Sequence, residues 1–191
     1  MSKIEVNQID TISGSSTLLV GPSAATKLTF SSTLTVDFNV NSPGVTLNDT
    51  MKMTPAFHAY SNVTTSCPNN TTTKLKMDTE VYDTDSCYDP VLYRFTPNVS
   101  GKYRVYMSAR FGNTIDFNEF AVLIRKNGSN ITKFGMRVEH SPTVNCSTVV
   151  EMNGTTDYLE AYGFQNSGGT ENFNGGSIDE TFFGAFKVIG A

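Results

Sequence analysis

Apolar and polar residues alternate with a period of two through most of the chain beyond residue 53. From Gly101 to Arg110, Tyr103, Val105, Met107 and Ala109 fall on one side, and Lys102, Arg104, Tyr106, Ser108 and Arg110 on the other. Thr132, Phe134, Met136 and Val138 share a side, as do Cys146, Thr148, Val150 and Met152, then Tyr158, Tyr162 and Phe164, then Phe182, Phe186 and Val188. Period two is the signature of a strand whose successive side chains point to opposite faces of a sheet. Phe120 to Ile124 is nearly all apolar and predicts a central strand covered on both faces. No window sustains a 3.6-residue period. The runs are separated by Ser100-Gly101, Asn127-Gly128, Asn153-Gly154, Gly168-Gly169 and Gly175-Gly176, pairs that suit tight turns. Many short strands at this spacing predict a sandwich or barrel.

The first stretch of the chain differs. Residues 1–53 hold Phe30 and Phe38 and no other aromatic, and Ser15-Ser16-Thr17-Leu18-Leu19-Val20 returns as Ser31-Ser32-Thr33-Leu34-Thr35-Val36. Small β-forming residues at a fixed step suit a slender extended β segment, which cannot bury a core alone and needs partner chains. The expected division is therefore residues 1–53, an attachment or β-rod segment, and residues 54–191, a head domain.

Composition narrows the function classes. Of the 191 residues only 17% are charged, so Ser, Thr, Asn and Gly must dress much of the surface. The net charge is −4 and no run of Lys or Arg occurs, which argues against nucleic acid as a partner. No apolar run approaches the roughly 18 residues of a membrane span, so no membrane insertion is expected. Met1 to Val6 lacks the apolar core of a secretory signal. Nine Asn-x-Ser/Thr triplets then read as accidents of composition, and the expected setting is a virion protein made in a host cytoplasm. Cys67, Cys87 and Cys146 make an odd count with no CxxC spacing; three free thiols are expected, with a Cys67–Cys87 bridge as the alternative.

The most specific spacing is Met77-x5-Asp83-x4-Tyr88-x6-Phe95-x5-Gly101-x-Tyr103-x-Val105-x-Met107. It resembles the signature of the complement component 1q globular-head family, a branch of the tumour-necrosis-factor-like jelly rolls. Asp83, Tyr88, Phe95, Gly101 and Tyr103 match; Met77, Val105 and Met107 stand where that pattern has aromatics. Pro55 to Ala59, Asp157-Tyr158-Leu159 and Thr181-Phe182-Phe183-Gly184 resemble other strands of the family, with Ala185 at a position usually aromatic. The resemblance implies an all-β jelly-roll sandwich over residues 55–189, with Phe95, Tyr103 and Phe182 in its core. It also implies a homotrimer joined through apolar sheet faces. Leu19-Val20-Gly21-Pro22-Ser23 and Leu34-Thr35-Val36 resemble units in leaders of marine phage structural proteins. That likeness implies a phage virion tail-fibre or receptor-binding tip contacting the host surface. The alternatives are a capsid decoration or fibre without an obligatory receptor, and a bacterial surface adhesin.

Catalysis finds little support. His58 and His140 are the only histidines, and no nucleophile elbow, HExxH or phosphate loop occurs. Glu80/Asp83, Asp85/Asp89 and Asp179/Glu180 are carboxylate pairs of the kind glycoside cleavage uses, yet in loops they read as solvated charges. Asp83, Asp85 and Asp89 could ligate Ca²⁺ through loop oxygens, although their spacing is not that of a calcium loop. No other cofactor is expected. Three loops, Tyr82 to Asp89, Gly112 to Asn118 and Gln165 to Ser177, place Phe173, Asn172, Asn166 and Phe117 as the ligand-binding candidates. Their rings and amides suit a host cell-surface glycan or protein.

Overall fold

The computed structural model of the chain describes residues 52–112, 117–138 and 143–190. The expected N-terminal segment, apart from Lys52 and Met53, lies outside the described residues, as does His140. The described part contains thirteen strands and no helix: β1 Ala56–Tyr60, β2 Thr65–Cys67, β3 Thr71–Lys74, β4 Thr79–Asp83, β5 Tyr88–Asp89, β6 Arg94–Phe95, β7 Gly101–Arg110, β8 Phe117–Lys126, β9 Ser129–Val138, β10 Thr143–Met152, β11 Leu159–Gln165, β12 Glu171–Phe173 and β13 Phe182–Lys187.

Five strands form one sheet in the order β10-β7-β13-β1-β4, and a second sheet runs β5-β6-β11-β8-β9, with β3 also paired to β11. All the pairings are antiparallel, and β12 pairs with β2 as a small third ribbon. Chain neighbours often lie in different sheets, as in β7 to β8 and β10 to β11, which is the connection pattern of a jelly roll. Asn127-Gly128 closes the β8–β9 hairpin with both residues at positive φ, as the turn chemistry predicts.

The alternation reads correctly for β7, whose Tyr103, Val105, Met107 and Ala109 are buried. Phe120 to Ile124 is buried on both faces, between β11 and β9. Strand β13 takes the opposite face from the one expected. Phe183 and Ala185 are fully buried, while Phe182 and Phe186 lie half-buried on the outside. Phe182 is therefore not a core residue. On β11 the core takes Leu159, Ala161 and Gly163, so Tyr162 and Phe164 face outward.

Two aromatic groups fill the space between the sheets. Phe57 stacks on Tyr88 and Phe95 at 4.6 and 4.5 Å and meets Phe183 edge-on at 5.2 Å. Tyr88 and Tyr103 are buried by turning their hydroxyls to carbonyls, of Met77 at 2.6 Å and Val99 at 2.7 Å. Phe111, Phe120 and Phe173 form the second group, with ring centres 4.9 to 5.5 Å apart.

The position of Phe173 corrects an expectation. Gln165 to Ser177 is not one free loop, because Glu171, Asn172 and Phe173 pair with Cys67, Ser66 and Thr65. This short strand sends Phe173 inward at 1% exposure. Its ring lies on Gly163, where any Cβ would strike it. Three residues between glycine-rich turns are too few to display a period, so the strand was not visible in the alternation.

The burial of Phe173 predicts that Phe173→Ala lowers stability by about 3–5 kcal/mol. Asn172→Ala, at an exposed position, stays within about 0.5 kcal/mol. Urea titration of both variants checks this, and a Phe173→Ala midpoint equal to wild type would contradict the core assignment. The three cysteines are free and buried. Heating with and without reductant is accordingly expected to give the same Tm; a fall of tens of degrees would reveal a bridge.

Candidate functional site

The outward face of the five-stranded sheet carries more ring surface than a solvated face requires. Its centre is one rung running across five strands. The register aligns Ser147 with Tyr106, Tyr106 with Gly184, Gly184 with His58, and His58 with Tyr82. Gly184 leaves a gap in the middle of this rung. The Tyr106 side chain lies across it, in space that any Cβ at residue 184 would occupy. The Tyr106 hydroxyl thereby reaches His58 Nδ1 at 3.1 Å, two strands away.

His58 is enclosed by rings. Its imidazole lies 5.3 Å from Phe182, 5.9 Å from Tyr106 and 6.2 Å from Tyr82. Burial holds the His58 pKa below its ordinary value. Burial, with the neighbouring Tyr82, pushes the Tyr106 hydroxyl upward. Both shifts favour neutral groups, so this surface is an uncharged aromatic platform at neutral pH. Phe186 extends it along β13, and Val149, 50% exposed, extends it on β10.

Beyond β10 the platform continues into a groove of about 620 Å³, lined by Arg104, Tyr106, Phe182 and Phe186 on one side and Thr132 and Phe134 on the other. Arg104 is held by the Ser147 hydroxyl, which accepts from its guanidinium at 2.7 Å. Phe134 and Met136 lie on the core-facing side of β9, yet they are 52% and 43% exposed because β9 is the outermost strand of its sheet. Cys146 also lines the groove, but burial pushes its thiol up to about 12, which removes it as a nucleophile at neutral pH.

Five of the six carboxylates considered for catalysis or Ca²⁺ are engaged locally. Asp83 accepts from the Tyr88 and Asp85 amides, and Asp89 accepts from those of Val91 and Leu92. Asp85 accepts from the Thr84 hydroxyl, Asp179 from the Ser177 hydroxyl, and Glu180 pairs with Arg110 at 2.9 Å. Among the described residues no three acidic, histidine or cysteine groups converge as a metal site. Asp83, Asp85 and Asp89 thus order turns around β4 and β5.

The four ligand-binding candidates do not converge either. Phe173 is in the core, and its face is unavailable to a sugar. Asn166 ties the end of β11 to β8, its side-chain oxygen accepting from the Glu119 amide at 2.5 Å. Asn172 is exposed on β12. The side chain of Phe117, at the start of β8, lies outside the described residues. The aromatic platform was missed because its members come from β1, β4, β7 and β13, far apart in the chain. The signal that could have found it was the outward parity of Tyr106 opposite Met107.

No protein-family model matches the chain, and no curated protein matches its sequence. Solved structures do match. Murine APRIL at pH 5.0 aligns with a TM-score of 0.56 and 14% identity over 70% of this chain and 98% of that one. The globular domain of zebrafish complement 1qA aligns at 0.54 and 14%, over 70% and 96%. The Eiger TNF of S. frugiperda aligns at 0.52 and 11%, over 71% and 93%. At such identities the likeness is one of fold: the described head is an all-β sandwich with the jelly-roll architecture of tumour necrosis factors and complement 1q globular heads.

Proposed function

We propose that the chain is a non-enzymatic binding head that works as a homotrimer at the tip of a virion tail fibre, where it contacts the host surface. The observation that carries the self-association is the ring platform of His58, Tyr82, Tyr106, Phe182 and Phe186 on an outward sheet face. Rings gathered on an outward face have no structural need to be wet, and contiguous apolar patches of this kind mark interaction sites. The second apolar patch, Phe134 and Met136, lies across the groove from it. Two unlike patches meeting between copies make a head-to-tail contact, which closes into a ring where the rotation between copies allows it. The jelly-roll fold of complement 1q heads and tumour necrosis factors supports three as the number of copies. The virion setting rests on the Leu-x-Val-Gly and Leu-Thr-Val units of the N-terminal segment, which would hold the head to the particle.

Light scattering at micromolar concentration is expected to return three chain masses. Phe182→Glu combined with Phe186→Glu places charge on the platform and is expected to give a folded monomer. A wild-type monomer would overturn the trimer. Removal of residues 1–50 is expected to leave a folded head that no longer incorporates into particles, and normal incorporation would place attachment elsewhere.

The platform also predicts a pH response. With its folded value held below the ordinary 6.5 or so, His58 favours the neutral, folded state above that pH. This contribution is lost as pH falls through the depressed folded value. The Tm of the wild type is therefore expected to fall more steeply between pH 7 and pH 5 than that of His58→Gln. Parallel curves would show that His58 titrates as it does in an unfolded chain.

A further inference from the structure

The outward face of the six-stranded sheet differs in kind from the platform. Lys74, Arg94, Arg125, Lys133 and Arg137 lie on it, interleaved with the carboxylates Asp89, Glu119 and Glu160 among the described residues. Five cations against three acids leave this face positive in a chain whose net charge is −4. No two of the five are adjacent in sequence. They come from β3, β6, β8 and β9, and the sheet alone assembles them.

Three of these cations are mounted on rings presented by β11 and the residue before it. The Arg94 guanidinium lies 3.8 Å from the centre of the Tyr158 ring, that of Arg125 lies 4.2 Å from Tyr162, and Lys133 Nζ lies 5.2 Å from Phe164. Residues 158 to 164 span about 20 Å at strand rise. The row is therefore a straight ladder of cations. Each is held against the ring beneath it, which removes part of the entropy cost of binding with long side chains. Lys74 and Arg94 share Glu160, at 2.7 and 2.8 Å, and Lys133 pairs with Glu119 at 2.5 Å. Arg125 has a neutral partner, its Nε donating to Asn130 Oδ1 at 2.8 Å. No carboxylate pairs with Arg125 among the described residues.

We propose that this ladder is a docking surface for an acidic polysaccharide whose negative groups are sugar carboxylates. The Arg125 guanidinium, engaged at Nε by Asn130, keeps its terminal N–H groups for a planar carboxylate, which a guanidinium binds through two parallel hydrogen bonds. The three carboxylates interleaved with the cations suit a sparsely charged chain better than a phosphate backbone. The ring faces are capped by cations, so nucleic-acid bases find no open platform to stack on. Ala121 and Leu123, the apolar outward residues of β8, are buried at 0% and 3% exposure and offer nothing to a lipid. The proposal rests on the reading of the chain as a binding head, but not on the trimer: light scattering reports the trimer and gel retardation reports the ligand.

The test is affinity electrophoresis of the full chain through gels containing alginate, a polyuronate, or neutral dextran. Alginate is expected to retard the wild type, progressively less as salt is raised, and dextran is not. Arg125→Gln with Lys133→Gln is expected to weaken retardation at least tenfold with an unchanged Tm, whereas Arg104→Gln on the opposite sheet has no effect. Arg125→Lys keeps the charge, and serves also if the double variant unfolds; it is expected to weaken binding about threefold by losing the paired hydrogen bonds. Equal retardation by dextran, unchanged retardation of both Arg125 variants, or displacement of alginate by single-stranded DNA at equal charge would each overturn the proposal, the last in favour of nucleic acid.

Discussion

The edge-to-face contact between Phe183 and Phe57 decides which side of strand β13 faces the core. In a strand, a shift of one residue exchanges the two faces entirely. With Phe183 and Ala185 inward, Phe182 and Phe186 must point outward, and Gly184, although buried, falls on their side of the strand. Strand β13 lies at the centre of its sheet, between β7 and β1, so this choice places a gap between Tyr106 and His58. Tyr106 fills that gap with its ring. The platform is thus a consequence of how the core is packed, although none of its rings belongs to the core.

The two outward faces solve the problem of exposed sheet surface in opposite ways. On the six-stranded sheet, the rings of β11 are covered by cations from neighbouring strands, and the buried Glu160 receives Lys74, Arg94 and the Tyr162 hydroxyl. Burial alone would raise the Glu160 pKa, but these three donors outweigh it and hold the carboxyl below its ordinary value. That face is a charged, hydrogen-bonded surface suited to water and to ions. On the five-stranded sheet the rings pack on one another and on a neutral imidazole, and the surface is suited to another protein. In the proposed reading, the platform face would join copies of the chain while the cationic face stays open to a polar ligand.

The predicted loops illustrate how sequence reading fails for short elements. Gln165 to Ser177 has glycines at both ends and polar residues between, all features of a free loop. Within it, however, three residues pair with β2 and send Phe173 against Phe111 and Phe120. The decisive partner is Gly163, whose missing side chain makes room for the Phe173 ring. A pocket made by an absence ten residues upstream has no local signal. Asn166 fails for a related reason: its amide is spent on the backbone of Glu119, which is distant in sequence and adjacent only across the sheet.

By itself the sequence determined the all-β class, the long strands β7, β8 and β10, the Asn127-Gly128 turn and the jelly-roll resemblance. These depend on local alternation and on turn residues whose backbone preferences are intrinsic. Through the family resemblance it also carried the placing of Phe95 and Tyr103 in the core, where their rings meet edge-on at 5.9 Å. Only the tertiary structure decided which faces are wet. A period of two says that two sides differ but not which side meets the other sheet, so Phe182 and Phe183 could be distinguished only by their neighbours. The gathering of five separated cations on one face, and of three separated rings around His58 on the other, likewise depended on strand order. Strand order is set by long-range pairing, of which a single chain of letters carries no direct record.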